Sequence, residues 1–89
     1  MLVVDVREPD EYAAGHVPGA LSMPLATVPV RHHELPRDRT VHVICQAGGR
    51  SAQAAGWLAR QGYQVVNVSG GTGAWVGQGH RVVTGTRAG

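Results

Sequence analysis

The chain has one cysteine, no lysine, no phenylalanine and no long apolar run, and each shortage closes off a class of function. A single thiol, Cys45, excludes an internal disulfide and a thiol-only metal cluster. It also leaves no second cysteine to relieve an oxidised or persulfidated first one, so relief must come from an outside thiol or acceptor. Leu2-Val3-Val4 is too short an apolar run for a signal peptide, and Asp5 follows it. Nothing approaches the ~18 apolar residues of a membrane span. No membrane partner is expected, and a reducing, cytoplasmic compartment is the default. All eight basic residues are arginine; against six acids they give +2, too little and too scattered for a nucleic-acid partner. A weak positive bias suits small anions better than a polyanion. Without phenylalanine, only Tyr12, Trp57, Tyr63 and Trp75 supply aromatic bulk, so valine must do most of the packing. The 89 residues are expected to form one domain, residues 1–89, with a modest core: at this size roughly 60% of the unfolded chain's surface is buried.

What is present alternates between Val-rich runs and helix signals. Leu2 to Val6 reads as a buried strand. Glu8-Pro9-Asp10-Glu11 opens a helix, with Pro early and acids in the first turn, and Gly15 stops it. Val17 to Ala20 is a turn into a short strand, Ala20 to Ser22. Pro24 to Leu35 is a short helix or an irregular crossover, because Pro29 interrupts any continuous helix. Pro36 to Arg39 turns into a strand, Thr40 to Ile44. Ser51 to Gln61 is a helix with Ala54, Ala55, Trp57 and Leu58 on its apolar face, and Gly62 suits the left-handed position after it. Tyr63 to Val68 is a strand, Gly70-Gly71 opens a last short helix through Val76, and Arg81 to Val83 reads as a minor strand. Thr84 to Gly89 reads as a frayed tail. Strands alternating with helices give an α/β fold, a parallel sheet with helices on both faces, whose sites lie at the carboxyl ends of strands.

Cys45 lies at such an end. The run Cys45-Gln46-Ala47-Gly48-Gly49-Arg50-Ser51 puts one thiol after a strand, on a Gly-containing turn, facing the start of a helix. Free N–H groups and the positive helix end converge there, and a thiol in that field ionises more readily. Gly48 and Gly49 let the backbone curl into an anion nest. The N–H groups of Gln46 to Ser51 would form the cradle and Cys45 would attack. Arg50 points either to the substrate or to solvent. Ser51 either caps the helix or meets the sulfur. Asp5 and Arg7 are expected to brace loops rather than react, and His16 to be architectural. His32 and His33 are adjacent, point apart and lack a matching ligand set, so they read as surface residues and no metal site is expected. Trp57 and Trp75 read as core anchors.

Three separated motifs give the chain a resemblance to the rhodanese-like sulfurtransferases. The Cys45–Ser51 run looks like that family's C-x-x-G-x-R-S. Asp5-Val6-Arg7-Glu8-Pro9 with Glu11-Tyr12 matches D-V-R-E-x-x-E-[YF]. Gly15-His16-Val17-Pro18-Gly19-Ala20 matches G-H-[IV]-P-G-A. Gly70-Gly71 with Trp75 is a looser fourth match, and the likeness runs from about Leu2 to about Val83. The resemblance implies a rhodanese-like sandwich and a ping-pong transfer without metal or organic cofactor. Cys45 would take the outer sulfur of thiosulfate or of a persulfide donor, and a thiol or cyanide would then remove it. It also implies the alternative of a relay module that hands a Cys45 persulfide to one protein partner, which the uncharged Gln46 and Ala47 favour. The C-x4-R spacing of Cys45 and Arg50 is one residue shorter than in the related phosphatases and arsenate reductases, a ring too tight for phosphate. Family members carry about another strand and helix before the first motif, whereas Met1 lies four residues ahead of Asp5. A sheet edge is therefore expected to be open, with a homodimer through it as one outcome.

Overall fold

The computed structural model describes residues 1–89. Four short parallel strands form one sheet: β1 (Leu2–Asp5), β2 (Leu21–Ser22), β3 (Thr40–Ile44) and β4 (Gln64–Asn67), in the order β2-β1-β3-β4. The register pairs Leu2 with Val41 and Asp5 with Ile44, and Thr40 with Gln64 and Val43 with Asn67. Three helices lie in the connections, α1 (Pro9–Ala14), α2 (Val28–Arg31) and α3 (Gly49–Arg60), and α4 (Gly71–Gly77) follows the last strand. No helix is long and apolar enough to cross a membrane.

Alternation along the strands sorts the core into two layers. Val4, Val6, Val41, Val43 and Cys45 project to one face, where Ala54, Ala55 and Leu58 of α3 and Met23, Val28 and Leu35 of the crossover cover them. Val3 and Ile44 project to the other, against Tyr12 of α1, Val17 and Ala20, with Trp75 of α4 alongside. Helices on both faces of a parallel sheet are the architecture the alternating pattern implies. Valine-rich strands suffice because helices cover the sheet on both faces.

The crossover is irregular for the reason Pro29 gives. It is a 3₁₀ turn at Leu25–Thr27, the single turn α2, and a second 3₁₀ turn at His32–Glu34. α1 starts where Pro9 places it, with a reciprocal capping box between Glu8 and Glu11. The free edges are β2 and β4, and Val66 on β4 is 46% exposed.

Five expectations need correction. The helix after Cys45 begins at Gly49, two residues before Ser51, because Gly48 takes a left-handed conformation (φ 115°) and turns the chain at once. Arg81–Val83 forms no strand, only a single antiparallel bridge between Val83 and His16. The tail is not frayed. Gly19 N–H donates to Ala88 O at 2.7 Å and Gly85 N–H to Ala13 O at 2.8 Å; buried His16, stacked on Tyr12, lies with Nε2 at 2.9 Å from Arg87 O. His32 is half-buried, not a surface residue: its Nδ1 lies 2.9 Å from the Tyr63 hydroxyl and its ring meets Trp57 edge-on. Trp57 and Trp75 pack on the margins of the two layers rather than inside them.

Candidate functional site

Cys45 continues the alternation of β3 beyond its last residue, so its side chain falls on the α3 face, beneath the start of that helix. It is 1% exposed. Gly48 N–H donates to Cys45 Sγ at 3.1 Å, and the Ser51 hydroxyl lies 3.2 Å from the same sulfur. Burial pushes the thiol up. The Ser51 hydroxyl and the N–H groups of Ser51, Gly48 and Ala47 outweigh it, leaving Cys45 below its ordinary value. Ser51 is therefore not the helix cap; that position belongs to Gly48, and Ser51 sits in the first turn facing the sulfur.

The loop is held from outside as well. Thr72 N–H donates to Cys45 O at 2.8 Å and Gly73 N–H to Gln46 O at 3.0 Å. Both carbonyls are thereby drawn toward α4, which leaves the N–H side of the loop for the sulfur. Gly71 (φ 59°) makes the approach possible: a Cβ there would overlap the Cys45 carbonyl oxygen and lie 2.7 Å from Gln46 C and O. Reading Gly70-Gly71 only as a helix start misses this clamp. The adjacent glycine pair at a strand end was the available signal.

Asp5 and Arg7 stand behind the loop, not in it. Both are buried, and Arg7 donates through Nε (3.0 Å) and Nη2 (2.9 Å) to the Asp5 carboxylate. The same guanidinium reaches Gln46 Oε1 at 3.2 Å and Gly15 O at 2.7 Å. One buried ion pair thus joins β1, the end of α1 and the loop. Gln46 turns its side chain back to Arg7, and Ala47 and Gly49 are exposed and bring no side-chain donor.

Arg50 is paired with a carboxylate of its own chain rather than left free in solvent. Its Nη1 and Nη2 clasp the Glu11 carboxylate at 2.6 and 2.9 Å. That bidentate bond, against some burial, holds the Glu11 carboxyl down at about 2. Asn67, at the end of β4, is a site residue that sequence reasoning missed altogether. Its Oδ1 accepts from Ser51 Oγ at 2.5 Å and its Nδ2 donates to Gly48 O at 3.3 Å. The only hint was a polar residue closing the Val65-Val66 run.

Two depressions flank the loop without including Cys45 in their walls. One, about 570 Å³, lies among Arg7, Glu11, Gln46, Thr72 and Val82. The other, about 430 Å³, has a floor of Leu25, Val28, Pro29 and Trp57 with Arg50 and Arg60 at its rim. No three His, Cys, Asp or Glu side chains gather as a metal-ligand set.

A thiol sunk in N–H groups at a strand-to-helix turn can bear a negative charge on sulfur, and comparison with known proteins gives the chain a family. The family model for the rhodanese-like domain matches residues 1–78. A sulfurtransferase of Allochromatium vinosum is 44% identical over 84 residues, covering 93% of this chain and 78% of that protein. A putative sulfur carrier protein of Bacillus subtilis, YrkF, is 39% identical over 77 residues, covering 85% of this chain and 42% of that protein. The crystal structure of a rhodanese-related protein from Thermoplasma volcanium superposes with a TM-score of 0.89 at 36% identity, covering 92% of this chain and 82% of that one. With most of its length matched in sequence and in structure, the chain belongs to the rhodanese-like domain family.

Proposed function

We propose that the protein is a sulfurtransferase that carries a sulfane sulfur on Cys45. The Cys45 thiolate attacks the outer sulfur of thiosulfate. A bond forms between the two sulfurs, the bond to the sulfonate sulfur breaks with its electron pair, and sulfite leaves. Three negative charges enter and three remain, two on sulfite and one on the Cys45 persulfide. Cyanide or a thiolate then attacks the terminal sulfur and Cys45 departs as thiolate. This is nucleophilic catalysis supported by preorganised N–H donors. The observation that carries the reading is the Cys45 sulfur lying 3.1 Å from Gly48 N–H, inside a loop whose carbonyls are tied away by α4.

A second reading has its own support. Arg50 is occupied by Glu11, and Gln46 and Ala47 bring no charge, so a small dianion meets no free cation at the loop. This favours a module that receives sulfur from a persulfide donor and hands it to a protein partner.

Intact-protein mass spectrometry after incubation with thiosulfate, without reductant, tests both. Gain of one sulfur atom, lost on adding cyanide and absent from Cys45→Ser, is the outcome expected of the transferase. Gain only from a persulfide donor favours the relay, and no gain from either rejects sulfur transfer through Cys45.

A further inference from the structure

The Ser51 hydroxyl has one proton and three acceptors: Asn67 Oδ1 at 2.5 Å, Gly48 O at 3.2 Å and Cys45 Sγ at 3.2 Å. Strength falls steeply with distance, and only the first contact is as short as a good O–H···O bond. The Asn67 amide is oriented for it. Nδ2 donates to Gly48 O at 3.3 Å, which leaves the amide oxygen toward Ser51; the flipped amide would set its oxygen against a carbonyl. With its proton on the Asn67 side, Ser51 Oγ shows a lone pair to the sulfur and accepts from the thiol. While Cys45 keeps its proton, the distances favour a chain from Cys45 S–H to Ser51 Oγ–H to Asn67 Oδ1.

A thiolate needs the reverse. The hydroxyl must turn its proton to sulfur, and the Asn67 oxygen loses its donor. We propose that Asn67 is a positioning residue that competes with the Cys45 sulfur for the Ser51 proton, and so tempers the nucleophile. Asn67 does not touch the sulfur; it acts through Ser51. The charged groups around the loop are already matched or lie outside it: Arg50 on α3 with Glu11 on α1, Arg7 with Asp5 after β1, and exposed Glu8 at the start of α1. β4 and α4 carry no charged residue. The direction of the hydroxyl is therefore the adjustable element.

The inference rests on Cys45 being the nucleophile of the proposed function, but its test does not require sulfur transfer. Alkylation by iodoacetamide reads the thiolate of the only cysteine directly, and persulfidation is scored separately. Asn67→Leu removes the competing acceptor. The midpoint of the alkylation pH profile is expected to move down by about 0.5–1 unit, about three- to tenfold more thiolate below the midpoint. Asn67→Asp keeps an acceptor and adds negative charge, so its midpoint is expected to move up. In a Ser51→Ala background the Asn67→Leu shift is expected to vanish. An unchanged or raised midpoint in Asn67→Leu, a lowered one in Asn67→Asp, or a shift that persists without the Ser51 hydroxyl would each overturn the proposal. Should the Leu variant fail to fold, Asn67→Ala, which also lacks the acceptor, is expected to lower the midpoint, and an unchanged or raised one overturns the proposal.

Discussion

The contact between Gly71 and the loop offers the sharpest test of how this site is held. Gly71 sits at φ 59°, and an added Cβ meets backbone atoms of Cys45 and Gln46, not a movable side-chain end. Two costs follow for Gly71→Ala. A left-handed alanine costs about 1–2 kcal/mol, and forcing atoms into a closed contact adds about 1–3 kcal/mol. Together these reach about 2–5 kcal/mol, a large part of what a domain this small holds. At about 4–8 °C per kcal/mol, melting is expected to fall by about 8 °C or more. The damage has an address, because Thr72 N–H and Gly73 N–H must release Cys45 O and Gln46 O. Those two amides are expected to exchange with solvent faster than the rest of α4, and Cys45 alkylation to lose its wild-type pH midpoint. Gly56→Ala is the control. Gly56 lies inside α3, and its new Cβ meets only the end of the Arg60 side chain at 3.6 Å. Removing a mid-helix glycine is expected to stabilise by about 0.8–1 kcal/mol. If calorimetry finds Gly71→Ala as stable as the wild type, with the alkylation profile unmoved, the clamp is not what shapes the loop.

Further outcomes follow from the two ion pairs. Asp5→Asn leaves the Arg7 guanidinium buried without a counter-charge and is expected to cost about 3–5 kcal/mol in urea unfolding; a loss under about 1 kcal/mol would mean the pair behaves as a surface one. Glu11 titrates at about 2 in the folded protein against an ordinary 4.5, so the stability it contributes is complete above pH 4.5 and fades as pH falls toward 2. Being partly exposed, the pair is worth about 0.2–1 kcal/mol, and Glu11→Gln is expected to flatten the acid limb of the stability curve by that amount. The same variant frees Arg50, so the KM for thiosulfate is expected to fall while that for a neutral persulfide donor stays; equal changes for both donors would contradict an electrostatic effect.

The sequence was legible where local chemistry and tertiary need agreed. Pro9 and Gly15 bound α1, Pro29 breaks the crossover, and Val41 to Ile44 is a mostly apolar run because both sheet faces are covered. Legibility failed where a residue's partner is distant in the chain. Nothing near Arg50 announces Glu11, which lies 39 residues away. Thr84–Gly89 has the composition of a loose end, yet His16 and Gly19 hold it through backbone carbonyls that composition does not register. Asn67 is invisible for the same reason, since its importance comes from the sheet register that sets β4 beside β3.

The arrangement of charge around Cys45 has a consequence for donor choice. Each arginine near the loop already has its own carboxylate, so the field at the sulfur comes mainly from fixed N–H groups and one hydroxyl. Dipoles of this kind fall off within about one helical turn, whereas a free guanidinium would draw anions from farther away. A site built this way stabilises charge once it resides on sulfur but does little to collect dianions from solution. For the proposed persulfide carrier that would be the useful asymmetry: a Cys45–S–S⁻ state would be held by donors that cannot leave, while capture of the donor molecule would be left to the surfaces beside the loop. The Arg50–Glu11 pair sits between the two flanking depressions, since Arg50 lines one and Glu11 the other. A donor or partner whose own carboxylate displaced Glu11 would take its place on Arg50. Selectivity would then reside in that exchange, and substituting Glu11 would relax it without touching the sulfur chemistry.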